Sequence, residues 1–198
     1  MGFKSDIEAT NVALSMTGRD ATGYLETTLD GALTAASTSV VVDDITGFPT
    51  TADGGGVIEV GTELIKYTTL TAGTKTFSGL TRNYNQQTND AGLNHNDGID
   101  VIGYNIIVGG TTSGIPLRLK ALSVASSGAG TGDIVLVSGS TYTVLSLDIP
   151  SGAIFTLNIP EAGILCSRGI LIQAALNITG ITAFTDKFSG PNLTTTNG

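Results

Sequence analysis

Val57-Ile58-Glu59-Val60-Gly61-Thr62-Glu63-Leu64-Ile65-Lys66-Tyr67 reads as one antiparallel hairpin: a strand to Val60, a turn at Gly61-Thr62, and a strand from Glu63 to Tyr67. Glycine at the first central position suits a two-residue type II′ turn, whose backbone twist matches that of the strands it joins. That loop length sets Val60 opposite Glu63, Glu59 opposite Leu64 and Ile58 opposite Ile65. Side chains alternate along a strand, so Ile58, Val60, Ile65 and Tyr67 share one face while Glu59 and Lys66 lie diagonally together on the other. Turn chemistry and alternation agree, and the surrounding chain repeats the pattern.

Upstream, Ser39-Val40-Val41-Val42 reads as a strand and Ile45-Thr46-Gly47-Phe48-Pro49 as its exit, since Pro49 cannot donate to a ladder. Downstream, Thr74 to Leu80 and Gly98 to Ile102 supply further strands. Asn83 to Asn96, rich in Asn and Gln, reads as a surface loop. The polar cluster Thr111-Thr112-Ser113-Gly114 marks a boundary. Beyond it Leu117 to Leu122, Leu145/Leu147/Ile149 and Phe155/Leu157/Ile159 alternate, and Ile134 to Val137 pairs with Tyr142 to Leu145 about Gly139-Ser140. Ile170 to Leu176 is apolar enough for a strand covered on both faces, and Ile178 to Phe184 closes the series. The expected architecture is all-β: a β module over 27–110, then a β-sandwich over 115–190 of jelly-roll type. Residues 1–26 form an N-terminal arm or short helix, and 191–198 form a tail.

Composition sets the limits. The chain of 198 residues is 40% hydrophobic and 13% charged, with 27 glycines, which suits short strands and tight turns around a buried core. Its formal net charge is −8 and its nine basic residues are scattered, so no patch gathers phosphates and nucleic acid is not an expected partner. No run approaches the ~20 apolar residues of a bilayer-spanning helix, and no apolar stretch of signal-peptide type follows Lys4. Neither a membrane nor export by a signal peptide is expected. Cys166, the single cysteine, sits in the apolar run Ile164-Leu165-Cys166 and reads as a buried, unreactive thiol.

The search for chemistry leaves no catalytic set. His95, the only histidine, lies in Asn94-His95-Asn96-Asp97-Gly98 and reads as a solvated turn residue, so neither a Ser-His-Asp relay nor a His/Cys metal site is built on it. Asp43-Asp44 with Asp53, or Asn94 with Asp97, offer oxygen ligands without the spacing of a calcium loop. Gly128-Ala129-Gly130-Thr131-Gly132 lacks the lysine of a phosphate loop and a following helix, and reads as a strand connection. A carboxylate pair for glycoside hydrolysis meets in space, beyond the reach of sequence, but the absence of Trp leaves little to stack sugar rings. No catalytic residue, metal or cofactor is expected. In the N-terminal segment Ser5 and Glu8 have capping-box spacing, and Ile7, Val12 and Leu14 suit one face of a short helix. The alternative is an extended arm that gains order on a neighbouring protein, with Phe3, Ile7, Leu14 and Met16 as its apolar anchors.

Residues from about 27 to 103, roughly half the chain, resemble a module of tailed-bacteriophage virion proteins, marine and cyanobacterial ones especially. The resemblance is carried by Thr28-Leu29, Leu33-Thr34-Ala35, Thr38 to Val42, Gly47-Phe48-Pro49, Val57 to Thr68, Thr76-Phe77-Ser78-Gly79 with Arg82, and Thr88, His95, Gly98 and Val101. Where similar modules place glycine after the arginine, this chain has Asn83-Tyr84. The stretch from Leu145 to Ile164 is similar, more loosely, to small β-sandwich domains of such virion proteins. The resemblance implies a non-enzymatic structural protein, a capsid decoration or cement protein on the outer capsid surface. It would be made in the host cytoplasm, with the major capsid protein as its partner and itself as a homo-oligomer. The alternative it implies is a tail or fibre component contacting host glycan, and a carbohydrate-active enzyme is a more distant third.

Overall fold

The computed structural model of the chain describes residues 7–14, 18–84, 92–109, 117–139, 142–160 and 162–187. It is all-β and antiparallel. The first half contributes β1 (Ile7–Ala13), β2 (Leu25–Thr28), β3 (Ser39–Val41), β4 (Gly56–Val60), β5 (Glu63–Tyr67), β6 (Thr69–Thr71) and β7 (Thr76–Ser78). β8 (Asp100–Gly109) leads into the second half: β9 (Leu117–Ser126), β10 (Gly132–Ser138), β11 (Tyr142–Ile149) and β12 (Ile154–Asn158), then β13 (Ile164–Cys166), β14 (Gly169–Leu176) and β15 (Ile178–Lys187). No described helix is long and apolar enough to cross a membrane.

The strands form three sheets. A seven-stranded sheet runs β11-β10-β14-β8-β4-β5, with β2 also on β8. A five-stranded sheet runs β1-β15-β9-β12, with β13 also on β9, and a small third sheet runs β3-β7-β6. The hairpin has the expected register, Val60 opposite Glu63 and Ile58 opposite Ile65, and Gly61 holds a positive φ of 61° at the turn. Glycine reaches that region without steric cost.

The two halves share a strand. The Gly98-to-Ile102 strand expected from sequence is the start of β8, which continues to Gly109. Its first residues pair with β2 and β4, while Asn105 to Gly109 pair with β14. One face of the large sheet is covered in two portions. Over β4, β5 and the start of β8, Leu25, Ile58, Ile65, Tyr67 and Phe77 enclose one core with the small sheet. Tyr67 and Phe77 rings stand 4.5 Å apart there. Over β10 and β14, Ile134, Leu136, Ile170 and Ile172 meet Leu119, Leu122, Val124 and Ile181 of the five-stranded sheet, which makes the expected sandwich. Burial of such side chains stabilises by roughly 1.5–3 kcal/mol each. Val57, Leu64, Tyr104, Val137 and Leu171 form a third cluster on the opposite face of the large sheet. The expected strand with both faces covered is β14, between β10 and β8.

The N-terminal segment differs from the short helix offered by its capping-box spacing. Residues 7–13 are a strand, paired over all seven residues with β15, from Ile7 opposite Asp186 to Ala13 opposite Gly180. It is extended, as an arm would be, but lies on the chain's own sheet. The physical reason is the open edge of β15: a row of backbone donors and acceptors outweighs a helix that, at this length, is marginal in water. The boundary cluster 111–114 and the tail 191–198 lie outside the described residues.

Candidate functional site

A buried ionic node stands at the end of the hairpin, and a cleft opens beside β1. Alternation places Glu63 on the inner face of β5 with Ile65 and Tyr67, and its side chain is fully buried. A buried carboxylate must be compensated, and five donors do so. Arg82 gives a bidentate pair, Nε to Oε1 and Nη2 to Oε2, both at 2.7 Å. His95 Nε2 stands 2.9 Å from Oε2, the Leu93 N–H donates at 3.0 Å and the Asn83 N–H at 3.2 Å. Burial alone pushes the Glu63 carboxyl up, but the bonds from Arg82, His95 and Leu93 together with the Arg82 charge hold it below the ordinary carboxylate value.

Arg82 also donates to the carbonyls of Thr34 and Leu93 at 2.9 and 2.8 Å, so one carboxylate ties the loops at 33–35, 82–84 and 92–95 to the hairpin. His95 is therefore not the solvated turn residue that its loop suggests. Its side chain is 8% exposed, and its backbone exchanges two hydrogen bonds with Leu33. Tyr84, also in the expected surface loop, is buried. Asn83 has a φ of 50°, in the left-handed region that glycine favours and asparagine tolerates.

The node's hydrogen bonds are directed inward, onto loops. The oxygen-ligand candidates are likewise engaged as loop fasteners: Asp97 accepts from the Gly31 N–H at 2.7 Å, Asn94 from the Ala35 N–H at 2.7 Å, and Asp43 from the Thr28 hydroxyl. Asp44 accepts from the Thr46 hydroxyl and from the Thr46 and Ile45 N–H groups, which hold its carboxyl low. Among the described residues no three His, Cys, Asp or Glu side chains are grouped to hold a metal ion. Cys166 is fully buried, and burial pushes its thiol up to about 11, away from the reactive thiolate.

The cleft has a volume of about 900 Å³ and lies between β1 and the first half of the chain. One wall is Thr10 to Leu14, and facing it are Ile45, Phe48, Pro49 and Leu70, with Asn105 and Ile106 of β8 nearby. Among the described residues its one titratable lining side chain is Asp53, whose carboxylate accepts from the Thr50 N–H and hydroxyl at 2.8 and 2.7 Å. Such a wall offers apolar contact and hydrogen bonding to a chain segment, without an acid and base pair at its surface.

Of the expected attachment residues, Phe3 and Met16 lie outside the described residues. Ile7 is 59% exposed at the start of β1, whereas Leu14, just past its end, is buried in the sandwich core and donates its N–H to Thr179 at 3.1 Å. The strand separates them and turns them to opposite sides. Glu63 and Arg82 were absent from the expected site, although the parity that buries Ile65 and Tyr67 also buries Glu63. No protein-family model, curated protein or solved structure matches the chain.

Proposed function

We propose that this chain is a non-enzymatic structural protein of a tailed-phage virion, a decoration protein that binds across major capsid protein subunits on the outside of the head. The observation that supports it best is β1. Seven residues add to the sandwich edge through full backbone pairing while their side chains stay largely exposed, Ile7 at 59%. Strand addition of this kind supplies affinity from main-chain bonds, and its outer flank and the adjoining cleft present apolar and amide groups to a neighbouring chain. The resemblance of residues 27–103 to virion modules supplies the setting. The ionic node gives that module rigid loops, which a surface clamp requires.

The test is co-sedimentation with capsids of a phage that encodes the chain, stripped of this protein. Full-length protein is compared with a chain beginning at Leu14. A cut at Thr27 is unsuitable, because it removes Leu25, which is fully buried in the first core. The full chain is expected to pellet with capsids to saturation, and the shortened chain to keep its β circular dichroism while pelleting far less. Equal pelleting of both removes β1 as the anchor. If neither pellets with heads but the full chain labels tails, the tail-component reading replaces this one.

A further inference from the structure

The outer face of the five-stranded sheet does not resemble a solvated surface. Reading the registers across β1, β15, β9 and β12 gives a row of Asn11, Thr182, Ser123 and Thr156 through its centre. Thr182 donates to Asn11 at 2.6 Å, and Thr156 lies 3.4 Å from the Ser123 hydroxyl. The next row is Ala9, Phe184, Ala121 and Asn158. On the other side of the centre stand Ala13, Gly180 and Ala125. Apart from Phe184 these side chains are short, and long charged chains, the usual cover of a solvated sheet face, are missing from all three rows.

The rim of the same face is apolar. Five large apolar side chains are exposed among the described residues, and three of them stand here: Ile154 at 77%, Ile7 at 59% and Leu165 at 49%. Ile154 lies opposite Ala125, Leu165 opposite Arg118, and Ile7 opposite Asp186, so all three share the outward side. Among the described residues charge is confined to one end, where Arg118 and Lys120 accompany Asp186, with Lys120 Nζ 4.0 Å from its carboxylate.

We infer that this face is the contact by which two copies of the chain associate, sheet against sheet. The occupant is a second copy for two reasons. The chain carries a net charge of −8, so copies repel through most surfaces. Among the described residues this face has two cations to one carboxylate at one end and no charge elsewhere, which lets two copies meet without stacking acid on acid. Its size also fits. Four strands at ~4.8 Å spacing and four rows two residues apart span roughly 20 by 25 Å, about 500 Å² per copy and about 1,000 Å² in a pair. That is the lower end for a specific contact, and it gives a concentration-dependent dimer. Short side chains let the two sheets approach to the ~10 Å of ordinary sheet packing, with the rim residues closing the edges. The pairing requires nothing of a capsid.

Sedimentation velocity on the full-length chain from about 1 µM to about 500 µM tests it. The expected result is a reversible monomer–dimer equilibrium. Ser123→Lys with Thr182→Lys, which places two ammonium groups at the centre, is expected to raise the dimer dissociation constant at least tenfold with unchanged circular dichroism. Should that variant fail to fold, Ser123→Cys replaces it: a short bis-maleimide is expected to link it into dimers, and not to link Thr62→Cys at the hairpin turn. A chain that is monomeric at every concentration overturns the inference, whether the face is bare or covered by the chain's own residues 188–198. A dimer indifferent to the lysines, or one that Ser123→Cys does not link, overturns it equally.

Discussion

Arg82→Met, which keeps the aliphatic stem and removes the guanidinium, isolates the ionic node. In the native chain the Glu63 carboxylate is fully buried and Arg82 is 12% exposed, so the pair sits largely out of water. Removing one partner of a buried pair costs about 3–5 kcal/mol, because the other charge is left uncompensated. Here His95 and the N–H groups of Leu93 and Asn83 remain as donors, which places the expected loss near the low end, about 3 kcal/mol. For a chain of this length that corresponds to a fall in Tm of about 6–12 °C. The pH dependence gives a second reading. Glu63 has a folded pKa below its ordinary value of 4.5, so the folded state releases the proton more readily. Its stabilisation is therefore present above about pH 4.5 and is lost as the pH falls through the lower, folded value. Arg82→Met weakens the pull that lowers this pKa, so it is expected to flatten that acid limb as well as lower stability at pH 7. Urea unfolding followed by far-UV circular dichroism at pH 3 to 8 measures both. A loss below about 0.5 kcal/mol at pH 7, together with an unchanged acid limb, refutes the assignment of the node as a structural fastener.

Gly61→Val is expected to cost about 1–3 kcal/mol, read as a lower urea midpoint, because a β-branched residue resists the φ of 61°; the added Cβ itself meets only His95, at 3.4 Å. Thr185→Val is expected to raise stability by about 1 kcal/mol, since the Thr185 hydroxyl is buried without a hydrogen-bond partner; a lowered Tm in calorimetry means the hydroxyl is satisfied. Asp133 lies directly opposite Asp148 on β10 and β11, and burial, the hydrogen bond to Asp148 and its charge all raise the Asp133 pKa. A folded pKa above the unfolded one makes this carboxylate destabilising above that range, so Asp133→Asn is expected to raise Tm at pH 7, with the gain vanishing on acidification below the carboxylate range.

What could be read from the sequence was local. The β4–β5 hairpin emerged with its register because glycine at the turn and period-two alternation act within eleven residues and agree. Most strands of the second half were legible from the same alternation, but β13, three residues long, was not. β1 was not, since Ile7, Val12 and Leu14 are too sparse to separate a helical from an extended period, and the choice is made by the vacant edge of β15 more than 160 residues away. The length of β8 was hidden as well. Tyr104-Asn105 interrupts its apolar run, and the strand continues because its second half finds β14 as a partner.

The ionic node was half legible. Parity along β5 places Glu63 inside with Ile65, and a buried carboxylate requires donors, but nothing local says that they come from Arg82 and from a histidine thirty-two residues away. The outer face of the five-stranded sheet lies further still from local signals. Each of its strands carries small or polar residues at alternate positions, and one strand of that kind reads as an ordinary solvated edge. The absence of long charged side chains becomes informative only when the registers set Asn11, Thr182, Ser123 and Thr156 in one row, with Ile7, Leu165 and Ile154 around them. β1 bears on both proposals, because it forms one border of this face and one wall of the cleft. Capsid attachment through its outer flank and self-association through its outer side chains use different atoms of the same seven residues. The two modes are therefore separable by substitution: Ser123→Lys alone, on β9 and out of contact with β1, is expected to weaken dimers while co-sedimentation with capsids persists at the affinity of a single copy.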